Sequence, residues 1–343
     1  MLILVGVTVT AAINGGLFEK AKIAKEGTRA DEIITKRDLW KVNQAADQYS
    51  KEKTAEKLSE ILTDLENQNL ITSDEKETIE NTGKLTIGEK TILFSVGKPY
   101  TTEDNKEIII PFGFEVDETQ GKKESDGIVI VDKTKGNEFV WVPVEGELES
   151  VTWYGSTGKS IGYDKSYVLG EIPNEIKESI STYGGFYIGR YETCKDTDGK
   201  TPIIKKGQTV WQNSDENTSM SKSTAMYENN DYVVSHLIYD AQWDAALKFI
   251  QKKDPNFILN PQDGVNGNYS GTVKSSGCYA ICNIYDMGGN IDEKVMDPIN
   301  ISPTGNYVIR GYRKSSAATR SYGWGDAAFD WYGFRTVMYL KTI

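Results

Sequence analysis

The sequence predicts an α+β fold in which helices come first and a β-rich head follows, and three observations carry that reading. Up to residue 80 the apolar residues recur at helical spacing. From Gly83 onward the period changes to short apolar runs separated by polar turns. One later run, with Trp243, Leu247 and Ile250 at i, i+4 and i+7, marks an amphipathic helix set among those strands.

Composition narrows the function classes. A chain of 343 residues has room for two domains or for one domain with an extended appendage. Its formal net charge of −11 and the absence of any Lys/Arg run argue against nucleic acid as a partner. His236 is the single histidine, so a multi-histidine metal site is excluded and any Ser-His-Asp or Cys-His arrangement would have to be built on it. In the context SHLIY it reads as a packed or hydrogen-bonded residue. Cys194, Cys278 and Cys282 can make one disulfide at most. If the stretch between Cys278 and Cys282 is extended, their Cα atoms lie about 13 Å apart, beyond bridging distance. All three read as reduced and structural.

In chain order, residues 2–13 are apolar except for Thr8 and Thr10. As a helix this run reaches about 18 Å, short of the roughly 30 Å hydrocarbon core of a bilayer. It lacks the basic flank and cleavage site of a secretory signal, and reads as the distal half of a longer apolar helix. After Gly15 and Gly16 a long polar helix follows, with Leu17, Ala21, Ala24, Ile33, Ile34, Trp40, Ala45 and Tyr49 as its candidate buried stripe. Two shorter helices are expected over 54–80. Leu58, Ile61, Leu62 and Leu65 share one face of the first, and Thr72 with Glu75 forms a capping-box start for the second. Strands are expected within 85–94, 106–116, 127–132, 137–144 and 183–193, and 147–181 reads as a surface insertion with one short helix. Gly288 belongs to a turn, since no phosphate-binding loop and helix follow it in register. The carboxylates of Asp286, Asp292, Glu293 and Asp297 do not match an EF-hand loop, so they read as a solvated acidic turn and no calcium or other cofactor is expected.

The stretch 310–335, RGYRKSSAATRSYGWGDAAFDWYGFR, has no helix or strand period. Its rings, Tyr312, Tyr322, Trp324, Phe329, Trp331 and Tyr332, lie among Ser, Gly, Ala, Asp and Arg. Loops that bind by contact share this composition, because rigid rings supply area at low entropy cost and small polar residues adapt around them. Any one ring suits a core beside a C-terminal strand as well as a binding surface. As a cluster they read as binding. The candidate contacts are Tyr312, Arg313, Lys314, Ser315, Tyr322, Trp324, Asp326, Phe329, Asp330, Trp331 and Tyr332. Residues 312–332 are expected to be irregular and to share one exposed face, with Gly333, Phe334 and Arg335 entering a late strand on a buried Phe334.

Two resemblances extend this reading. LILVGVTVTAAINGGLFEKAKIAKEGTRADEI resembles the distal half of the pilin-like N-terminal segment of many clostridial surface proteins. That resemblance implies a helix that anchors the protein in a membrane or packs into a filament. The ordered set FVWVPV, GGFYIGRYE, AQWDAALKFI, NIYDMGGNIDE, VIRG and YGFR resembles the formylglycine-generating-enzyme-like family, a variant of the C-type lectin fold, over about 108–340. Two departures qualify it. Ile291, Asp292, Glu293 and Lys294 stand where the family has Trp-Glu-Trp, and the segment 311–321 lacks the cysteine pair of the catalytic members. Without those thiolates the oxidase chemistry has no basis, and no enzyme activity is expected. What remains resembles the variable proteins of diversity-generating retroelements, which carry a diversified surface at the C-terminal end of this fold. The domains expected are a pilin-like helix over 1–53, a helical and β adaptor over 54–107, and a ligand-binding head over 108–343. The expected partners are a protein or glycan ligand and, through the helix, a membrane or filament, which would place the chain at the cell surface.

Overall fold

The computed structural model describes residues 2–47, 58–149, 153–154, 160–161, 171–255, 267–299, 306–311, 316–324 and 326–343. Within helices and strands, the side chains of 2–18, 44–47, 153–154, 160–161, 298–299, 306 and 322–324 lie outside that description. The fold is α+β, and the chain divides into two compact units, Met1–Gly97 and Lys98–Thr342, with Ile343 grouped with the first.

In the first unit helix α1 (Leu2–Asp47) runs without interruption across Asn14, Gly15 and Gly16. Helices α2 (Leu58–Asn67) and α3 (Ser73–Thr82) follow where the apolar spacing placed them. The capping box is present: Glu75 N donates to Thr72 Oγ1 at 3.2 Å and Thr72 N to a Glu75 carboxylate oxygen at 2.8 Å. A hairpin of strands Lys84–Ile87 and Lys90–Leu93 closes the unit. Ala30 and Ile33 of α1 share one core with Ile61, Leu62, Leu65, Ile79, Leu85, Ile92 and Phe94. Arg29 donates to Leu70 O and pairs with Glu75, and Arg37 donates to Leu93 O. The helix and the adaptor, expected as separate segments, therefore fold together, and among the described side chains of α1 only part of the expected stripe is buried. Ile33 is buried and Ile34 and Trp40 are partly so, while Ala21 and Ala24 are exposed. Leu17, Ala45 and Tyr49 fall outside the described side chains. No helix among the described residues is long and apolar enough to cross a membrane.

The second unit is built on two sheets. The first is antiparallel, in the order Val233–Leu237, Thr336–Leu340, Gly185–Gly189, Glu138–Pro143, Val129–Asp132, Phe114–Val116. The second runs Ser321–Trp324, Asn306–Arg310, Asp292–Ile299, Tyr332–Phe334, with only the last pair parallel. Helix α4 (Asn174–Tyr183) covers the middle of the first sheet, and α5 (Glu216–Ala225) packs on Val233–Leu237 and Asp292–Ile299. Helix α6 (Asp240–Lys253) touches both sheets, and its Trp243, Leu247 and Ile250 are fully buried in the core that also holds Val140, Phe186, Ile188, Val308 and Val337. The predicted amphipathic helix is thus the element around which the sheets close.

His236 packs between Tyr239 and Tyr339, and its Nδ1 donates to Leu237 O at 2.8 Å. The residue keeps some exposed surface, yet its Nε2 is buried with no hydrogen-bond partner among the described residues. Burial depresses its pKa to about 4, only partly opposed by the bond to Leu237, because the second proton would have to enter on that shielded nitrogen. All three cysteines are free. The chain does not stay extended from 278 to 282: Cys282 and Asn283, both left-handed, form a two-residue turn between strands Ala280–Ile281 and Ile284–Tyr285.

Candidate ligand-binding surface

The two ends of the stretch 310–335 are held by buried arginines. Arg310 closes strand Asn306–Arg310 and is fully buried. Its Nη1 donates to Asp240 Oδ1 at 2.5 Å and its Nη2 to Asp244 Oδ1 at 2.8 Å. Asp240 and Asp244 are four apart on α6, which puts both carboxylates on one helix face. Arg320 reaches the same pair, Nε to Asp240 Oδ2 at 2.9 Å and Nη2 to Asp244 Oδ2. Among the described residues, two guanidiniums and two carboxylates thus meet in one buried cluster. Burial works against the charge on Arg310, but Asp244 and Asp240 outweigh it and hold its pKa above the ordinary guanidinium value. Gly311 beside it is left-handed (φ 62°), and a Cβ there would lie 2.9 Å from Trp243 Cη2, so the Arg-Gly pair is dictated by the close passage over α6.

At the other end Phe334 packs on Trp211 and Leu237 with no exposed surface. A Cβ on Gly333 would stand 2.7 Å from Ile291 Cδ1 and 3.0 Å from Trp211 O. Arg335 forms a bidentate pair with Glu293 (3.1 and 2.8 Å) and donates to Gly189 O and Tyr285 O. It sits where the chain leaves the four-stranded sheet at Phe334 and enters the six-stranded sheet at Thr336.

The acidic residues read as a solvated turn are therefore internal. Asp286, Asp292, Glu293 and Asp297 are all buried. Asp286 accepts from the backbone amides of Gly277, Cys278 and Tyr279, and Asp297 accepts from Asp240 N at 2.6 Å. Their spacing along the sequence gave no sign of the arginine and amide partners brought in from elsewhere. Among the described residues no group of three or more His, Cys, Asp or Glu side chains is placed to hold a metal ion. Burial pushes the Cys194 thiol up to about 12 and Cys282 to about 11, and also raises Cys278, so each is protonated near neutrality.

Between the anchors, the expectation of one irregular, exposed stretch needs two corrections. Residues 316–320 are core: Ala317 and Ala318 are fully buried, Ser316 and Arg320 nearly so, and Trp243 Nε1 donates to Ala317 O at 3.1 Å. Ala317 and Ala318 belong to the same hydrophobic core as Trp243. Next, Ser321–Trp324 is a regular edge strand, in register with Asn306–Arg310. Tyr and Trp suit a pleated surface, and the neighbouring strand offers the pairing.

The exposed part is 326–331. Asp326 and Asp330 are exposed, Phe329 is 38 % exposed and Trp331 is half-buried. Phe329 and Trp331 stack at 4.7 Å and 16°, and Tyr332 meets both edge-on. Tyr332 itself is 8 % exposed and lies over Lys294 Nζ at 5.1 Å, so it supports the platform more than it displays itself. Three residues that the sequence did not single out hold the platform from outside the stretch. Gln212 Nε2 donates to Asp330 O, Asn213 N to Phe329 O at 3.1 Å and Ser214 N to Tyr332 O at 3.4 Å. The polar run before the Asp215 cap of α5 was the available signal.

Of the other candidate contacts, Tyr312, Arg313, Lys314 and Ser315 lie outside the described residues, and Tyr322 and Trp324 are placed by their backbone alone. Beneath the platform Lys294 and Glu216 are buried. Burial raises the pKa of Glu216 to about 8, with Lys294 opposing and Asp297 and Asp215 adding to the shift. Burial lowers the pKa of Lys294, against the pull of Glu216, Asp215 and Asp326.

No protein-family model matches the chain, and no curated protein matches it. Solved structures similar at low identity include the following three. CarF matches at 14 % identity and a TM-score of 0.35, over 53 % of this chain and 97 % of its own. PvdO from Pseudomonas aeruginosa matches at 17 % and 0.39, over 62 % and 98 %. Variable protein 1 of Treponema denticola matches at 12 % and 0.33, over 58 % and 95 %.

Proposed function

We propose that this chain is a ligand-binding protein whose contact surface is carried by 312–332 on a C-type-lectin-type head. Phe329 is the observation that carries the proposal. Among the described residues of Lys98–Thr342 it is the exposed large hydrophobic side chain, and it is stacked on Trp331 where a solitary exposed ring would be free to rotate. Anchoring arginines at both ends, with a ring platform between them, divide the stretch into scaffold and display. Such a division lets displayed residues change without loss of the fold, as in the variable proteins that the motifs resemble. The proposal includes display at the cell surface or on a filament through α1, with an adhesin- or receptor-like role and no catalytic activity. An oxidase of the formylglycine-generating type and a purely structural filament subunit are the competing readings.

The proposal is tested by panning the full-length protein against host- and cell-surface extracts beside Phe329→Ser and Trp331→Ala. Capture that both variants lose, while their melting curves stay unchanged, supports it. Copper-dependent turnover of a cysteine-containing peptide, abolished by replacing Cys278 or Cys282, would establish the oxidase reading instead. Independent support would come from a near-copy of the 310–335 coding segment, differing at adenines, beside a reverse-transcriptase gene.

A further inference from the structure

The inner face of α5 is polar. Its buried side chains are Glu216, Ser219 and Ser223, spaced to share one helix face, with Met220 adding a partly buried contact near Trp211 and Phe334. A helix usually docks by an apolar stripe, whereas this one docks largely through hydroxyl groups. The Ser214 and Ser219 hydroxyls meet at 2.7 Å, Thr336 Oγ1 donates to Ser223 Oγ at 3.0 Å, and Ser235 Oγ donates to Ser223 O at 2.7 Å. Glu216 lacks such support: both of its carboxyl oxygens are buried with no hydrogen-bond partner among the described residues. A neutral carboxyl is tolerated in that position, but an ionised one is far more costly there than in water. Lys294 and Asp297 face it from strand Asp292–Ile299, Tyr307 from strand Asn306–Arg310, and Asp215 from its own helix. Lys294 favours the charge, while burial, the largest influence, and the two aspartates oppose it. Strand Val233–Leu237 turns Val233, Ser235 and Leu237 toward α5, and its His236 lies on the other side with Tyr239 and Tyr339. The turn before α5 also grips the backbone of 329–332, through Asn213 N to Phe329 O, Ser214 N to Tyr332 O and Gln212 Nε2 to Asp330 O. That segment is therefore tied to the position of the first turn of α5.

We infer that the first turn of α5 is a proton-controlled latch: with Glu216 neutral it stays docked and 212–214 hold the 329–332 backbone, and with Glu216 ionised it opens to water and releases that segment. Only the functional consequence, a contact surface that loosens as pH rises, rests on the reading of 312–332 given above. The docked carboxyl ionises at about 8 and a solvated one near 4.5, so opening becomes easier between those two values and no easier above them. Hydrogen exchange resolved at single amides tests this on the full-length protein from pH 5 to 8, each rate divided by the intrinsic rate at that pH. The amides of Asn213 and Ser214 should be less protected than those of Phe186, Tyr187 and Ile188 in the central strand Gly185–Gly189, because the latch opens without global unfolding. Their protection should fall by up to about tenfold per pH unit. Glu216→Gln keeps the shape without the titrating proton, and should abolish the fall while leaving protection at pH 5 unchanged. The inference is overturned by protection at Asn213 and Ser214 that is flat with pH, or that matches Phe186 to Ile188 throughout, since the carboxyl would then act only in global unfolding. Both of those results come from the unsubstituted protein and stand even if the variant folds poorly. A fall that persists in a folded Glu216→Gln also overturns it, by assigning the proton to another group. No ligand enters the experiment, so its failure leaves the contact-surface reading intact, and failure of the panning experiment leaves the latch intact.

Discussion

Replacing Asp244 by Asn removes a buried carboxylate that accepts from both Arg310 and Arg320. Arg310, Arg320, Asp240 and Asp244 have almost no solvent access, so water cannot take the place of the lost carboxylate. Removing one partner of such a pair costs about 3–5 kcal/mol. For a unit of about 150–250 residues, at about 2–4 °C per kcal/mol, the melting temperature should fall by about 6–20 °C. Arg320→Met should also be costly, since it takes a buried guanidinium away from both Asp240 and Asp244. The double variant removes both members of a contacting buried pair and should lose less than the two single losses combined, by about 0.5–3 kcal/mol. Urea unfolding followed by tryptophan fluorescence and by far-UV circular dichroism measures all three. A single-variant cost below about 1 kcal/mol, or strict additivity, would show that the cluster is not a mutually dependent charge network.

Three further outcomes are expected. Phe334→Ala should cost about 3–5 kcal/mol, because the ring is fully buried on Trp211 and Leu237, whereas Phe329→Ser should stay within about 0.5 kcal/mol; the urea midpoints decide between them. The single imidazole should titrate at about pH 4 by proton NMR. Its folded pKa is depressed, so its contribution to stability is present above the unfolded value of about 6.5 and is lost as pH falls toward 4; His236→Gln should remove that part of the acid slope. Glu216 has the opposite sign. Its folded pKa is raised to about 8, so its contribution is complete below the unfolded value near 4.5 and declines as pH rises through 8, by up to about 1.4 kcal/mol per pH unit within that window. Glu216→Gln should flatten this decline in pH-dependent urea midpoints, and an unchanged slope would show that the carboxyl has a route to water.

Much of the fold was legible in local patterns. Helices α2, α3 and α6, the capping box at Thr72, and the buried Phe334 strand all follow from apolar period or cap chemistry, which involve residues at most a few positions apart. The ring-rich composition of 310–335 likewise marked the stretch that displays Phe329 and Trp331. Tertiary structure alone decided which of its residues face outward. Arg320 and Ala317 lie within the same run as the displayed rings, yet they are core, because Asp240, Asp244 and Trp243 meet them from a helix about seventy positions earlier. The acidic residues from Asp286 to Asp297 looked solvated for the same reason: a carboxylate is read as exposed unless its partner is known, and Arg335 and the 277–279 amides reach it only through the fold. Local sequence determines which elements form and which residues suit contact; the pairing of buried charges, which depends on non-local approach, decides which of those residues remain available to a partner.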